Sequence, residues 1–275
     1  MRACLLMPLL FSFFAEPADI CCLGVQHGYA DWSPAVAQDG RQHQETRGVD
    51  FFRDLAKCLS EDKHLRELVD KAHPLPSNYA PQDLITLRAG AYRLNVQGIK
   101  LRRAAAESLA EMSSAARADG VVLTVSSAYR SYSYQQQVNS RIVRERGQRA
   151  ADRVSARPGH SQHQTGLAVD FAPLDNSFSK SAAGRWMTAN AQRFGWTLSY
   201  PEGLEGMTGY QWESWHYRYV GKNLASFIEK YFNGVQQEAL AYIHDFEHGA
   251  SSPPSSSPPP PSSLAPPLSM HLKRD

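Results

Sequence analysis

The stretch Ser161-Gln162-His163-Gln164-Thr165-Gly166-Leu167-Ala168-Val169-Asp170 decides how this chain is read. Its polar first half follows Pro158 and Gly159 and ends at Gly166, so it reads as a loop. From Leu167 the apolar Leu167, Val169 and Phe171 alternate with Ala168 and Asp170, the period of a strand with two differently used faces. A loop histidine therefore precedes a strand whose off-core face carries a carboxylate, and imidazole and carboxylate are natural zinc ligands. A hydrolytic zinc takes three protein ligands and leaves a further position to water, so a second histidine is expected elsewhere. Glu213-Ser214-Trp215-His216 supplies it, and Glu213 can approach the metal as a base without ligating it. Taken singly, an isolated histidine or strand aspartate more often serves a structural role; their combination points to a metal.

Working outward, the apolar run Val121 to Val125 reads as a buried strand, preceded by a helix from Ile99 to about Ala118 that stops at Asp119-Gly120. Apolar spacing between Val49 and Val69 suits one or two amphipathic helices, ended by His73-Pro74-Leu75-Pro76. A polar helix with Gln135, Val138 and Ile142 follows Arg130. Ala182 to Phe194 reads as a helix stopped at Gly195, Trp196 to Leu198 and Trp215 to Val220 as short strands, and Leu224 to Phe246 as one or two closing helices. Without a regular βαβ rhythm, this order predicts an α+β fold.

The two ends differ from this middle. Met1-Arg2, an apolar run from Ala3 to Ala15 and the polar turn at Glu16 have the layout of a secretory signal peptide, placed at residues 1–18. A linker at 19–48, a catalytic domain at 49–248 and a Ser/Pro-rich disordered tail at 249–275 complete the expected organisation. Export to the periplasm or cell envelope follows, with Cys21 or Cys22 offering a point for an N-terminal lipid anchor. Cys58 is then the one cysteine beyond them, without C-x-x-C spacing, so no disulfide network is expected. Lys and Arg number 29 against 27 Asp and Glu, a balance that gives no field for nucleic acid.

Ser-x-His-x-x-Gly-x-Ala-x-Asp at 161–170, followed by Glu-x-Trp-His at 213–216, resembles the zinc D-alanyl-D-alanine peptidases related to VanY. The resemblance runs from about Tyr79 to Tyr242. It takes in Asn78-Tyr79-Ala80-Pro81-Gln82-Asp83-Leu84, Ser127-Ala128-Tyr129-Arg130-Ser131, Ala156-Arg157-Pro158-Gly159-His160, Gly209-Tyr210 and Trp215 to Gly221. It implies the fold that hedgehog signalling domains share with these peptidases, a small, mainly antiparallel sheet flanked by helices. It further implies one zinc per chain held by His163, Asp170 and His216, Glu213 as base, Arg130 steadying the scissile carbonyl, and Gln135, Ser155 and Ser161 near the peptide's terminal groups. The implied substrate is the C-terminal D-alanine of peptidoglycan stem peptides, with no further protein partner. An L,D specificity for tetrapeptide stems or a lysin-like endopeptidase would use the same centre; a non-catalytic wall-binding module would have no use for Glu213 and Arg130. The chain departs from the family at Gln162, where an acidic residue is usual, at Ala128, where glycine is, and at Ser214, where a proline is. The first predicts an altered environment behind the metal ligands, and the last a looser segment carrying Glu213.

Overall fold

The computed structural model describes residues 48–249. The expected signal peptide, linker and Ser/Pro-rich tail lie outside them, apart from their boundary residues. No helix among the described residues is long and apolar enough to cross a membrane.

A helix α1 covering residues 48–60 buries Phe51, Leu55 and Cys58, one stripe at helical spacing. It packs with the closing helices α7 (Lys222–Phe232) and α8 (Gln236–Glu247) through Phe227, Ile228, Leu240 and Ile243. The Val49–Val69 segment is thus one α-helix followed by a 3-10 turn at Lys63–Arg66. The larger core lies between helix α2 (Arg103–Ala118) and the main sheet, where Leu109, Met112, Leu123, Val125, Phe171 and Trp196 are all fully buried. Burial of each such side chain contributes about 1.5–3 kcal/mol.

Two short strands, β1 (Leu84–Thr86) and β3 (Lys100–Arg102), pair antiparallel. The five-stranded sheet runs β2-β4-β5-β7-β6, formed by Arg93–Leu94, Thr124–Ser127, Ala168–Phe171, His216–Tyr219 and Trp196–Leu198 in that spatial order. Only the β2–β4 pair is parallel. This is the α+β arrangement expected of the sequence, with a mainly antiparallel sheet among helices.

Two boundaries differ from the sequence reading for identifiable reasons. Ile99 does not start the helix, because Lys100–Arg102 pair with Leu84–Thr86 as a strand and α2 begins at Arg103; tertiary pairing overrides local propensity. Val121 does not start a strand, because its N–H bonds Ala116 O (2.8 Å) while that of Gly120, at φ 77°, bonds Arg117 O (3.0 Å). That is a Schellman closure of α2, and β4 begins only at Thr124.

Helices α3 (Tyr132–Arg146) and α4 (Gln148–Val154) follow β4, and Ser131 caps α3 by accepting from Tyr134 N (3.2 Å). Ala182–Asn190 forms α5, continued by a 3-10 turn at Ala191–Phe194 and ended at Gly195 as the sequence predicts. A single turn at Glu205–Thr208 is α6.

Candidate functional site

The central strands generate the site by register. In the antiparallel β5–β7 ladder Asp170 stands directly opposite His216. Such partners project on the same face with Cβ atoms about 4.5–5.5 Å apart, while Val169, Phe171 and Tyr217 turn the other way into the main core. His163 arrives from the preceding 3-10 turn, Gln162–Thr165, whose N-cap Ser161 accepts from His163 N (3.3 Å). Gly166 closes that turn at φ 70°, and a Cβ there would lie 2.9 Å from Leu84 Cδ2. The serine and glycine of the 161–170 pattern are therefore the cap and the reversal that bring His163 beside Asp170.

The three side chains converge within buried surroundings, their ligand atoms all within 4.8 Å of one another. His163 Nδ1 donates to Ala128 O (2.6 Å). Its Nε2 is buried without a hydrogen-bond partner, 3.0 Å from Asp170 Oδ2. On the far side His216 Nδ1 lies 2.9 Å from Asp170 Oδ1, and its Nε2 lies 3.3 Å from Gln162 Oε1. Burial pushes the His163 imidazole down to about 4, into its neutral form. Burial opposes ionisation of Asp170, yet a proton on a flanking imidazole, or a cation in its place, holds its carboxyl well below the usual range. A neutral imidazole with an orphaned inward nitrogen beside an ionised carboxylate fits a divalent cation of the zinc type.

Around this set stand Glu213 and Arg130. Glu213 Oε2 is 3.7 Å from His216 Nδ1, and burial raises its carboxyl to about 7. A carboxyl poised near neutrality suits proton transfer in both directions. The guanidinium of Arg130 donates to Asp170 Oδ2 (3.1 Å) and to Gln135 Oε1 (3.0 Å), and its backbone N–H holds His163 O (3.2 Å). Arg130, Gln135, Ser155, Ser161, His163, Glu213 and His216 all line one cavity of about 110 Å³, with Asp170 behind them.

The segment carrying Glu213 is not loose. Asn176 donates through Nδ2 to Trp212 O (3.1 Å) and accepts at Oδ1 from Ser214 N (3.0 Å), while Glu213 N bonds Tyr200 O (3.1 Å). A serine retains the backbone N–H that a proline lacks, and Asn176 uses it. This clamp replaces the ring rigidity missing at Ser214, and it overturns the expectation of slack there.

Of the softer assignments, Gln135 faces the cavity with its amide engaged, donating to Ala156 O (2.8 Å) and accepting from Arg130. Ser161 Oγ serves the His163 turn, and Ser155 closes α4 as its C-cap. Sequence reasoning missed the rest of the wall: Val138 and Ile142 of α3, Val154, and the rings of Tyr200 and Tyr210. The i, i+4 spacing of Val138 and Ile142 on an otherwise polar helix was the available signal. Tyr200, whose ring lies 4.8 Å from that of His216, had none.

The sequence family VanY, described as D-alanyl-D-alanine carboxypeptidase, matches residues 98–222. The YodJ protein of Bacillus subtilis (strain 168) is 34% identical over 206 residues, spanning 68% of this chain and 76% of that one. A solved LdcB LD-carboxypeptidase superimposes with a TM-score of 0.59 at 35% identity, over 63% of this chain and 84% of its own. The vancomycin-resistance D,D-pentapeptidase VanY, solved in complex with Zn(II), gives 0.55 at 31% identity, over 64% of this chain and 99% of its own.

Proposed function

Since the chain belongs to the VanY family of D-alanyl-D-alanine carboxypeptidases, we propose that it is a zinc metallocarboxypeptidase that hydrolyses the C-terminal D-alanine from peptidoglycan stem peptides. The observation that carries this reading is the convergence of His163, Asp170 and His216 beside Glu213 and Arg130 on one small cavity. One zinc per chain, held by the two imidazoles and the carboxylate, would polarise the scissile carbonyl and acidify a water.

The chain's own residues do the rest. Ionised Glu213 takes a proton from the attacking water, whose oxygen bonds to the carbonyl carbon. The same carboxyl then gives that proton to the amine nitrogen of the departing D-alanine as the C–N bond breaks. Arg130 faces the oxygen on which charge develops, and loss of one such donor typically costs about 2.7–4 kcal/mol of barrier. Gln135 holds the guanidinium in that pose through its amide oxygen. The apolar side chains of Val138, Ile142 and Val154 add no competing charge to the cavity lining.

The family's description favours the D,D bond of pentapeptide stems as substrate. Similarity to the LdcB LD-carboxypeptidase favours, as a second reading, the L,D bond of tetrapeptide stems; D-alanine is the product of both. The substrate and the apolar leader in the sequence support a place in the periplasm or cell envelope. Mass spectrometry after incubating zinc-loaded protein with each stem separates the cases, with Glu213→Gln as control. Loss of one D-alanine from pentapeptide is expected, and loss from tetrapeptide alone reassigns the bond. Cleavage of neither by protein shown to hold zinc sinks the proposal.

A further inference from the structure

We infer that Gln162, held by Gln236 and Ser199, is a positioning residue that fixes the ring of His216 with its proton on Nε2 and its Nδ1 lone pair toward the metal position. The inference rests on the metal-centre reading above, though not on any cleavage of peptide. Gln162 neighbours His163 in sequence, yet its amide reaches behind His216, on the side away from the cavity. There its Oε1 accepts from Ser199 Oγ (2.7 Å) and lies 3.3 Å from His216 Nε2. Its Nε2 donates to Gln236 Oε1 (3.1 Å), and Gln236 Nε2 donates to Thr197 Oγ1 (2.7 Å), with Ser199 Oγ (3.2 Å) and Thr197 O (3.5 Å) also in reach. Gln162 is 2% exposed, Gln236 1% and Ser199 2%, so no solvent competes for these bonds.

Which way each amide points follows from the end of the chain of bonds. In the structure the nitrogen of Gln236 faces Thr197, whose backbone carbonyl can only accept, and its oxygen faces Gln162. Gln162 must then present its nitrogen to Gln236 and its oxygen to His216. An amide oxygen only accepts, so the bond it makes with His216 is from Nε2–H, which leaves Nδ1 unprotonated. With the amide reversed, the proton would move to Nδ1 and His216 could not ligate. A carboxylate, the usual residue here in the family, accepts at both oxygens and sets the tautomer without help. An amide needs an acceptor for its nitrogen, and Gln236 at the start of α8, 74 residues away, supplies it.

The test compares zinc affinity, by chelator competition, across wild type, Gln162→Met and Gln162→Glu, with thermal unfolding of the metal-free forms alongside. Methionine keeps the volume and removes the acceptor; glutamate keeps an acceptor for His216 and loses the donor to Gln236. The expected result is zinc binding weakened about 10- to 100-fold in Gln162→Met, and kept near wild type in Gln162→Glu, whose metal-free form unfolds at a lower temperature. Equal affinity in wild type and Gln162→Met overturns the inference, as do equal losses in both variants, which would mean packing alone. Should the variants fail to fold, NMR of zinc-loaded wild type decides. A slowly exchanging ring N–H at His216 Nε2 supports the inference, and a rapidly exchanging one refutes it. Wild type that binds no zinc refutes the metal-centre reading itself and is distinguishable from every outcome above.

Discussion

Asn176→Ala separates the positioning of the base from the integrity of the fold. The substitution deletes the bonds from Asn176 to Trp212 O and from Ser214 N, at 3.1 and 3.0 Å. Each is worth about 1 kcal/mol net, and Asn176 is only half-buried, so a loss of about 1–2 kcal/mol is expected, or roughly 2–8 °C in Tm for a domain of this size. The effect on rate is larger. Misplacement of a reacting group by about 1 Å costs on the order of 100-fold, so kcat for D-alanine release should fall between about 10- and 100-fold. Zinc affinity should hold, because His163, Asp170 and His216 are anchored elsewhere. Rescue makes the reasoning specific. His216 N bonds Glu213 O (3.1 Å), so 213–216 is a tight turn with Ser214 at its second position, where proline pre-sets the backbone. Ser214 Oγ is buried without a partner, so nothing is lost with it. Asn176→Ala combined with Ser214→Pro should therefore recover most of the lost kcat. A wild-type kcat in Asn176→Ala, or a loss that Ser214→Pro leaves untouched, would refute the clamp.

Zinc at about 100 times its dissociation constant should stabilise the metal-free protein by about 2.7 kcal/mol, read as a rise in Tm that His163→Ala abolishes. Asp54 accepts from Lys230 (2.9 Å) and Tyr231 (3.0 Å), and the Lys230 partner foremost lowers its carboxyl below the ordinary 3.8. Because the folded value is the lower one, its contribution is complete above the ordinary carboxylate range and is lost progressively as pH falls from that range through the lower folded value. Asp54→Asn should thus narrow the stability gap from wild type in acid denaturation, and a gap that stays constant with pH contradicts this. Burial pushes the Cys58 thiol up to about 12, so alkylation at mildly alkaline pH should be slow in the native protein and fast in denaturant, followed by mass spectrometry.

The convergence of the candidate metal ligands was legible because their geometry is largely local. Ser161, His163, Gly166 and Asp170 encode a cap, a ligand, a reversal and a strand within ten residues, and each step follows from backbone chemistry. The strand at Ala168–Phe171 followed from alternation, and the short strands around Trp196 and His216 were read as segments, without their order in the sheet. What escaped depends on contacts that sequence distance hides. Asn176 reads as one more turn residue until its side chain meets Trp212 and Ser214. Gln236 reads as a polar helix start until it is found beneath His216. Lys100–Arg102 carries helix-forming residues and becomes a strand only because Leu84–Thr86 lies alongside.

The site also divides into parts with different structural sources. Asp170 and His216 come from adjacent central strands, where a one-residue slip of either would turn its side chain into the opposite core; their register is fixed by Val169, Phe171 and Tyr217 on the other face. His163, Arg130 and Glu213 come from loops, and each is tied by a backbone bond, at His163 O, at Arg130 N and at Tyr200 O respectively. The apolar part of the cavity wall comes from α3 and α4, through Val138, Ile142 and Val154. Those helices touch neither the strand register nor the ligands' anchoring bonds, apart from Gln135 on Arg130. On the proposed function, bond preference should therefore shift through α3 and α4 while the candidate metal centre stays intact. That independence is why the D,D and L,D readings share His163, Asp170, His216, Glu213 and Arg130, and why variants along the α3–α4 wall, rather than variants of the ligands, are the ones that should discriminate between pentapeptide and tetrapeptide.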